Sequence, residues 1–368
     1  MTHPSFAPLI KSLSSAVPFV GPETQERQLG RLFLARIGAN ESVFGPSTLV
    51  CEAIQRESGA IWQYGDPENF DLKTALAQKH NVDLGNIVIG EGIDGLLGYL
   101  VRLFVTNDIS VVTTDGAYPT FNYHVIGFGG NLVKVPFLND YEDPLTIIKT
   151  AHETKARLVY FSNPNNPMGT FHSPEMVQKM LEDLPEGCLL CLDEAYADFV
   201  EEGELPVFDA NHPQLIRFRT FSKAYGLAGV RVGYAITNAP LATAFNKVRN
   251  HFGMNRLGQV AALAALSDTA HLENVKVQVK HSLDRIADIA VANHCTAIES
   301  RTNFIAIDCM KDGAFAQNVL AELISKGVFV RMPVVAPQNR CIRISAGTEQ
   351  HLDFFETIFP EALRVAAH

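Results

Sequence analysis

The sequence has little positive charge and no long uncharged apolar run. Its 30 lysines and arginines are outnumbered by 40 aspartates and glutamates, for a formal net charge of -10. Without a basic surface, the protein has no general field that attracts nucleic acid or anionic lipid. No apolar run approaches the ~20 residues of a membrane-spanning helix, and the N-terminus lacks the charged-then-apolar order of a signal peptide. We therefore expect a cytoplasmic protein whose partners are neither nucleic acid nor membrane.

Cysteines are also few, with six in 368 residues. This number is too small for a disulfide framework in a chain of this length. Cys188 and Cys191 have the C-x-x-C spacing, but they lie in "CLLCLDEAY", which is typical of a strand. Residues three apart on a strand point to opposite faces. We therefore expect buried structural cysteines and no metal site.

Short apolar runs alternate with helical patterns between about residues 85 and 240. The runs are "NIVIG", "ISVVTTD", "NLVKVPF", "ARLVYFS", "CLLCLDEA", "LIRFRTFS" and "VRVGYAI". This alternation predicts an α/β fold, in which helices cover both faces of a mostly parallel sheet. Ligands of such sheets bind at the carboxyl ends of the strands.

The chain is predicted to have three parts. Residues 1–45 look irregular and are expected to pack, as an arm, on the small domain or on a partner subunit. Residues 46–250 form the predicted large domain. After a long helical stretch near residues 240 to 290, "TNFIAIDC", "GVFVRMP" and "RCIRISAG" predict strands of a smaller α+β domain over residues 251–368.

A glycine-rich turn joins the first predicted strand to a helix in "NIVIGEGIDGLLGYL". Gly90, Gly92 and Gly95 spell G-x-G-x-x-G, the dinucleotide-binding pattern, and Asp115 lies where that pattern places a ribose-binding acid. The same turn can also hold the phosphate of another ligand at a helix N-terminus. The turn therefore predicts a phosphate site without naming the ligand.

A lysine at the end of a predicted core strand suggests a chemical role, because burying a charged amine is energetically unfavourable unless the amine is neutralised or bonded. Lys223 lies in "TFSKAYGLAGVRVGYAI", close to Thr220, Ser222 and Arg231. A lysine amine forms Schiff bases with carbonyl cofactors, and hydroxyl groups with an arginine bind phosphate. The segment therefore suggests pyridoxal phosphate.

Two further strand ends supply what the ring of that cofactor needs. Asp193 ends a buried strand, where its carboxylate could keep a pyridine nitrogen protonated. Tyr196 follows three residues later, and Asn166 lies in the Pro-bracketed turn "NPNNPMG". Both could reach the phenolic oxygen of the ring.

Together these segments resemble the fold-type I pyridoxal-phosphate aminotransferases, and specifically the histidinol-phosphate aminotransferase group. The similarity covers about residues 40 to 348. Its segments are, in order, "ANESVFGPS", "YGDPENFDLKTALA", "NIVIGEGIDGLL", "YPTF", "NPNNPMG", "DEAY", "TFSKAYGLAGVRVGY", "TNFIAI", "GVFVR" and "IRISAG". The lysine and Asn-Pro segments are highly specific, and on this resemblance the phosphate at the glycine turn is that of pyridoxal 5'-phosphate.

The resemblance implies a role for each matching residue. Lys223 would carry the cofactor covalently and then move a proton, and Asp193 would face the pyridine nitrogen. Asn166 and Tyr196 would bind the phenolic oxygen. The other implied cofactor-binding residues are Gly92, Ile93, Asp94, Thr220, Ser222 and Arg231 at the phosphate, Phe121 stacked on the ring, and Tyr64 from the neighbouring subunit. A two-fold homodimer is thus part of the expected site.

The expected substrate-binding residues are Arg343, Arg331, Asn40 and Phe19. Arg343 would bind a carboxylate of glutamate or 2-oxoglutarate. Arg331 would bind a second acidic group, such as the phosphate of histidinol phosphate, or would pair with a carboxylate of the protein. Phe19 stands where the family often has a tyrosine, which leaves room for an aromatic amino acid as the donor.

Several positions depart from the family pattern without removing the catalytic set. Ile93 replaces a serine, Phe121 replaces a tyrosine, and the segment from Asn40 to Val43 replaces Asn-Glu-Asn-Pro. The leading function is a ping-pong transaminase that acts on an amino donor and a 2-oxo acid. The alternatives are a threonine-phosphate decarboxylase-like enzyme and a binding or regulatory protein without turnover.

Overall fold

The computed structural model of the protein describes residues 4–15 and 20–367. Its α-helices are α1 (Pro8–Ser12), α2 (Pro22–Leu29), α3 (Thr48–Glu57), α4 (Phe70–His80), α5 (Gly92–Phe104), α6 (Pro119–Gly127), α7 (Pro144–Thr154), α8 (Pro174–Glu182), α9 (Ala239–Ala244), α10 (Arg256–Ser267), α11 (Thr269–Ala292), α12 (Gly313–Ser325) and α13 (Glu349–Ala366). Its β-strands are β1 (Ala35–Arg36), β2 (Ile87–Gly90), β3 (Ser110–Thr114), β4 (Asn131–Val135), β5 (Leu158–Ser162), β6 (Leu189–Asp193), β7 (Leu215–Thr220), β8 (Gly233–Thr237), β9 (Thr296–Ala297), β10 (Phe304–Asp308), β11 (Val328–Phe329) and β12 (Cys341–Ser345). Within the described ranges, none of these helices has both the length and the apolar character needed to cross a lipid bilayer.

The largest sheet has seven strands in the order β2-β8-β7-β6-β5-β3-β4. Strand β8 is antiparallel to both of its neighbours, and the other neighbouring pairs are parallel. Each of the seven apolar runs in the sequence supplies one of these strands. The prediction of a mostly parallel sheet is therefore confirmed.

Helices cover both faces of this sheet. Along β6, Leu189 and Cys191 pack in a core with α5 and α6. The alternate residues Leu190 and Leu192 pack on the opposite face with α7 and α8. Because both faces of β6 are buried, its sequence is a continuous apolar run up to Asp193. The predicted α/β layer arrangement is confirmed.

A second unit is built from the C-terminal part of the chain. Its antiparallel sheet has the order β12-β10-β9, and a separate pair joins β1 to β11 in parallel. Helices α11, α12 and α13 pack with these strands in one apolar core. All three strands predicted in this part of the chain are present.

The arm and the long helical stretch flank the large unit in the sequence. The described part of the arm contains α1, α2 and β1, and β1 packs on the second unit through β11. The long helical stretch consists of α9, α10 and α11. Helix α10 shares a core with α3, α4 and β2 of the large unit. This packing argues for a boundary after α10, whereas the predicted boundary lies between residues 250 and 251.

Cys188 and Cys191 are buried, and both thiols are free. Burial raises the pKa of Cys188 to about 12, and it raises the pKa of Cys191 well above its usual value. Neither thiol is therefore ionised at neutral pH, and the thiolate is the form that binds metals and attacks disulfides. The buried position expected for this pair is confirmed.

Candidate active site

A cavity of about 810 Å³ lies at the carboxyl ends of the parallel strands, between the large sheet and the second unit. Three neighbouring parallel strands bring polar side chains to it, because Asn166 follows β5, Asp193 ends β6 and Thr220 ends β7. The second unit contributes Arg331 and Arg343. The predicted site residues that line the cavity are Asn40, Ile93, Asp94, Asn166, Asp193, Tyr196, Thr220, Ser222, Lys223, Arg231, Arg331 and Arg343.

One end of the cavity is the N-terminus of helix α5. Ile93 and Asp94 lie in its first turn, where backbone N–H groups have no partner inside the helix. Gly92 has a φ of 76°, and a Cβ at this position would collide with Nη2 of Arg231. Glycine therefore allows the guanidinium to approach the start of the helix. A helix N-terminus beside an arginine favours an anionic ligand.

Hydroxyl groups complete this anion cradle. Nη1 of Arg231 donates to Oγ of Ser222 at 3.3 Å, and the backbone N–H of Ser222 donates to Oγ1 of Thr220 at 3.1 Å. Nη2 of Arg231 lies 3.8 Å from the carboxylate of Asp94. The cradle thus offers arginine, hydroxyl and backbone donors, which are the groups that bind a phosphate monoester.

Lys223 is half-buried at the wall of the cavity, just after β7. Its Nζ donates to the backbone oxygen of Asn40 at 3.2 Å and lies 5.6 Å from the centre of the Tyr196 ring. Nδ2 of Asn40 in turn donates to the hydroxyl oxygen of Tyr196 at 2.9 Å. Within the described residues the amine has a neutral carbonyl partner and no ion pair. It is therefore available for covalent chemistry.

Asp193 is a buried carboxylate with a hydrogen bond to each oxygen. Oδ1 accepts from the backbone N–H of Ala195 at 2.9 Å, and Oδ2 accepts from the hydroxyl of Tyr160 at 2.6 Å. Burial raises the pKa of Asp193 to about 6, and the two hydrogen bonds oppose this rise. A cation placed beside this carboxylate would be strongly favoured, because pairing offsets the cost of burying the charge.

Asn166 and Arg343 meet across the cavity. Nη1 of Arg343 donates to Oδ1 of Asn166 at 2.7 Å, and the guanidinium lies 5.0 Å from the centre of the Phe304 ring. Nε of Arg343 is buried without a hydrogen-bond partner among the described residues. Burial lowers the pKa of Arg343 to about 10, so the guanidinium stays cationic at neutral pH.

Arg331 lies beside Arg343. The backbones of Arg331 and Arg343 form an isolated antiparallel bridge, and both side chains reach the cavity. Nη2 of Arg331 donates to the backbone oxygen of Val20 at 2.8 Å. In the described parts of the chain, neither arginine has an ion pair with a carboxylate. Among the described residues the cavity therefore holds two guanidinium groups without a direct carboxylate partner, although Glu41, which also lines the cavity, acts on Arg331 through space.

One predicted ring contact is corrected by the structure. Phe121 is fully buried and stacks on Tyr160, with 4.7 Å between the ring centres, so it does not face the cavity. Tyr118 lines the cavity instead, and its hydroxyl donates to Oδ1 of Asp94 at 2.9 Å. The reason is helical geometry: α6 begins at Pro119 and buries Phe121 and Val125, which lie one turn apart. That spacing is visible in the sequence.

Tyr64, another predicted residue, does not line the cavity of its own chain. Tyr64 is 77% exposed, and its ring packs against Phe252 in a tilted arrangement with 4.7 Å between the ring centres. This exposure leaves the ring free to contact another chain. Phe19 lies outside the described residues.

Glu142 is a buried carboxylate behind the cavity that the sequence patterns did not reveal. It accepts from Oγ1 of Thr114 at 2.8 Å, from Nδ2 of Asn165 at 2.7 Å and from the backbone N–H of Ser162 at 3.2 Å. Burial raises the pKa of Glu142 to about 7. The carboxylate fixes the turn that carries Asn166. Because Glu142 lies in a loop with no periodic pattern, its burial could not be predicted from the sequence.

Comparison with known proteins agrees with this geometry. The family profile described as aminotransferase class I and II matches residues 35–355. The histidinol-phosphate aminotransferase of Moorella thermoacetica is 32% identical over 366 residues, which is 98% of this chain and 94% of that protein. Histidinol-phosphate aminotransferase 2 of Pseudomonas aeruginosa is 32% identical and covers 95% of each chain.

Solved structures of aminotransferases are also similar to this chain. The histidinol-phosphate aminotransferase of Sinorhizobium meliloti, solved with pyridoxal-5'-phosphate, is 48% identical, has a TM-score of 0.95 and covers 99% of each chain. An aspartate aminotransferase of Thermus thermophilus shares the fold, with a TM-score of 0.83 at 20% identity. The resemblance drawn from the sequence is confirmed, and the chain belongs to the class I and II aminotransferase family.

Proposed function

We propose that the protein is a pyridoxal-phosphate-dependent aminotransferase that moves the amino group of histidinol phosphate to 2-oxoglutarate. The observation that carries this proposal is one cavity that joins the amine of Lys223, the buried carboxylate of Asp193 and the anion cradle at the start of α5. The names of the relatives support the choice of donor.

The chain has the groups that this cofactor needs. Bound in the cavity, pyridoxal phosphate supplies an electron sink for amino-group transfer. Arg231 and Ser222 hold the phosphate together with the N–H groups of α5. Asp193 faces the ring nitrogen, and Tyr118, which takes the place predicted for Phe121, contacts the ring. The cradle fits a phosphate because the missing side chain of Gly92 leaves room for Arg231.

Lys223 has two tasks in this proposal. Its Nζ would hold the cofactor covalently and would carry the proton that moves to and from the reacting carbon. The contacts with Asn40 and Tyr196 hold the amine at the cavity wall. Tyr196 and Nδ2 of Asn166 donate to the phenolic oxygen of the cofactor.

The substrate end of the cavity suits dianionic molecules. Arg343 and Arg331 each offer a planar fork that binds carboxylate or phosphate through two bonds. Histidinol phosphate has a phosphate ester and no carboxylate, whereas 2-oxoglutarate has two carboxylates. Two arginines without a direct carboxylate partner among the described residues can serve both molecules in turn. The contact expected for Arg331 is therefore with substrate.

A homodimer with shared active sites is part of the proposal. Trp62 and Tyr64 expose 80% and 77% of their surface, and Ile61 and Phe252 are exposed nearby. Large exposed apolar groups that lie together are typical of protein–protein contacts. From such a surface, Tyr64 would reach the cofactor phosphate of the partner subunit. The expected cytoplasmic location agrees with six free cysteines.

The deciding experiment compares amino donors. The kcat/KM of histidinol phosphate, phenylalanine and tyrosine is measured with 2-oxoglutarate, in the wild type and in Arg331→Ala. We expect histidinol phosphate to be the best donor and to lose at least about tenfold in kcat/KM in the variant, as expected for the loss of a charged contact.

Other outcomes identify the alternatives. A tenfold preference for phenylalanine that survives Arg331→Ala would replace histidinol phosphate with an aromatic amino acid. Release of carbon dioxide without need of a 2-oxo acid would indicate the decarboxylase. No turnover by protein that carries the cofactor would indicate a binding or regulatory role.

A further inference from the structure

Tyr160 lies on β5, next to the strand that ends in Asp193. Strands β5 and β6 are parallel, with Tyr160 opposite Cys191 and Ser162 opposite Asp193. The Tyr160 side chain is fully buried, and its hydroxyl donates to Oδ2 of Asp193 at 2.6 Å. This contact lies behind the carboxylate, on the sheet side of the cavity. Tyr160 itself does not line the cavity.

The direction of this hydrogen bond is determined by the surroundings. Burial and the neighbouring carboxylate of Asp193 raise the pKa of Tyr160 well above its usual value. The phenol therefore keeps its proton and donates, and the negative charge stays on Asp193. The bond from Tyr160 is the largest of the effects that lower the pKa of Asp193 against the rise caused by burial. Removing it would make Asp193 a stronger base.

Other charged groups also act on Asp193. Asp94 raises its pKa and Lys223 lowers it, and the buried carboxylate of Glu142 is coupled to it through space. None of these three groups is hydrogen-bonded to Asp193 in the described residues. Tyr160 and the backbone N–H of Ala195 are its two direct donors. Of these, only the tyrosine side chain can be changed by substitution.

We propose that Tyr160 is a positioning residue that acts through Asp193 to keep the proton on the ring nitrogen of the bound cofactor. This inference rests on the proposed function, in which Asp193 faces that nitrogen. A shared proton goes to the stronger base of the pair. By donating to Asp193, Tyr160 weakens the carboxylate as a base, so the proton stays on the ring. A protonated ring is the better electron sink.

The test uses protein loaded with cofactor that carries nitrogen-15 in the ring. In the wild type at about pH 8, the nuclear magnetic resonance signal of that nitrogen should be that of a protonated pyridine. In Tyr160→Phe, which keeps the stack on Phe121, the signal should move toward that of an unprotonated pyridine. The ratio of ring-protonated to Asp193-protonated protein should fall by roughly tenfold or more, as expected for the loss of a charge-assisted hydrogen bond. The kcat should fall while the KM for the 2-oxo acid stays unchanged.

A matched control removes a different buried hydroxyl of the same sheet. Tyr234 on β8 bonds His80 at 2.8 Å and does not touch Asp193, so Tyr234→Phe should leave the ring signal unchanged. Replacement of Tyr160 by 3-fluorotyrosine tests the same bond even if Tyr160→Phe does not fold. The more acidic phenol donates more strongly, so the ring signal should remain that of a protonated pyridine.

Two outcomes overturn the inference and separate it from the proposed function. An unchanged ring signal in folded Tyr160→Phe, or a shift toward an unprotonated ring in the 3-fluorotyrosine protein, would show that Tyr160 does not act through Asp193. An unprotonated ring nitrogen in the wild type, with cofactor bound at Lys223, would remove Asp193 from its assigned place as well.

Discussion

Arg343 donates to Oδ1 of Asn166 at 2.7 Å, so a strand of the second unit holds a turn of the large unit. A guanidinium can only donate, and the amide oxygen of Asn166 must therefore face it. This orientation leaves Nδ2 of Asn166 free to donate to the cofactor. The residue proposed to bind the substrate anion thus also sets the orientation of the residue proposed to bind the phenolic oxygen of the cofactor.

The first prediction concerns this arginine. Arg343→Lys keeps the charge but loses the planar fork that binds the carboxylate and the bond to Asn166. We expect kcat/KM for 2-oxoglutarate to fall at least about tenfold, which corresponds to ~1.4 kcal/mol. Arg285→Lys, in a surface ion-pair network between α11 and α13, is the matched control and should have normal kinetics. Normal kinetics in Arg343→Lys would contradict the assignment.

The second prediction concerns the covalent link. Borohydride reduction of the loaded protein, followed by peptide mapping, should place the cofactor on Lys223. Lys223→Ala should abolish turnover yet still bind free cofactor, because the anion cradle formed by α5, Ser222 and Arg231 is intact. Lys134, which is paired with Asp115 at the edge of the same cavity, is the control lysine. An adduct on Lys134, or none, would contradict the proposal.

The elements of the fold that were predictable from sequence have strong local signals. Strands β2, β5, β6 and β8 are buried along their whole length, so each is a largely apolar run between turn residues. Asn166 follows β5, Asp193 ends β6 and Thr220 ends β7. Their common location was predictable because the carboxyl ends of parallel strands lie at one edge of the sheet. Lys223 and Asp193 were therefore expected in one site, and the cavity contains both.

The features that could not be predicted from the sequence depend on contacts between segments that are distant along the chain. The bond from Tyr160 to Asp193 requires the register of β5 against β6, which no local pattern specifies. Glu142 is polar in a loop, yet it is buried because three donors from other segments surround it. Helix α10 follows the predicted boundary but packs on the large unit, because its apolar face fits α3.

The third prediction concerns the pH dependence of stability. Glu142 has a pKa of about 7 in the folded chain against an ordinary value of 4.5, so the folded state binds its proton more tightly than the unfolded state. Its contribution is fully present below about pH 4.5 and is lost as the pH rises through about 7. The expected loss is about 3 kcal/mol over this range.

Chemical unfolding of the cofactor-free protein at several pH values between these limits measures this effect. Glu142→Gln cannot ionise, and its free energy of unfolding should fall less with pH than that of the wild type. Glu202→Gln changes an exposed carboxylate and should keep the wild-type slope. Asp193, whose pKa is also raised, is present in all three proteins, so the difference between them reports the ionisation of Glu142 together with its effect on Asp193. Equal slopes in the wild type and Glu142→Gln would contradict the assignment.

The last prediction is that Tyr64 acts in the active site of the partner subunit. Its ring is exposed and does not line the cavity of its own chain. If a two-fold dimer brings it to the cofactor phosphate of the other subunit, Tyr64→Ala and Lys223→Ala damage the same site from different chains. Mixing these two weak or inactive proteins should form hybrid dimers in which one site has both residues. With random exchange, activity should recover to about a quarter of the wild type.

The matched control pairs two residues that belong to one cavity of one chain. Asp193→Ala mixed with Lys223→Ala leaves each site of a hybrid dimer without one of them, so no activity should return. Subunit exchange is verified with differently tagged chains before activity is measured. Recovery in the first mixture and not in the second can arise only if Tyr64 and Lys223 of one site come from different subunits. Absence of recovery in the first mixture after confirmed exchange would place Tyr64 outside a shared site.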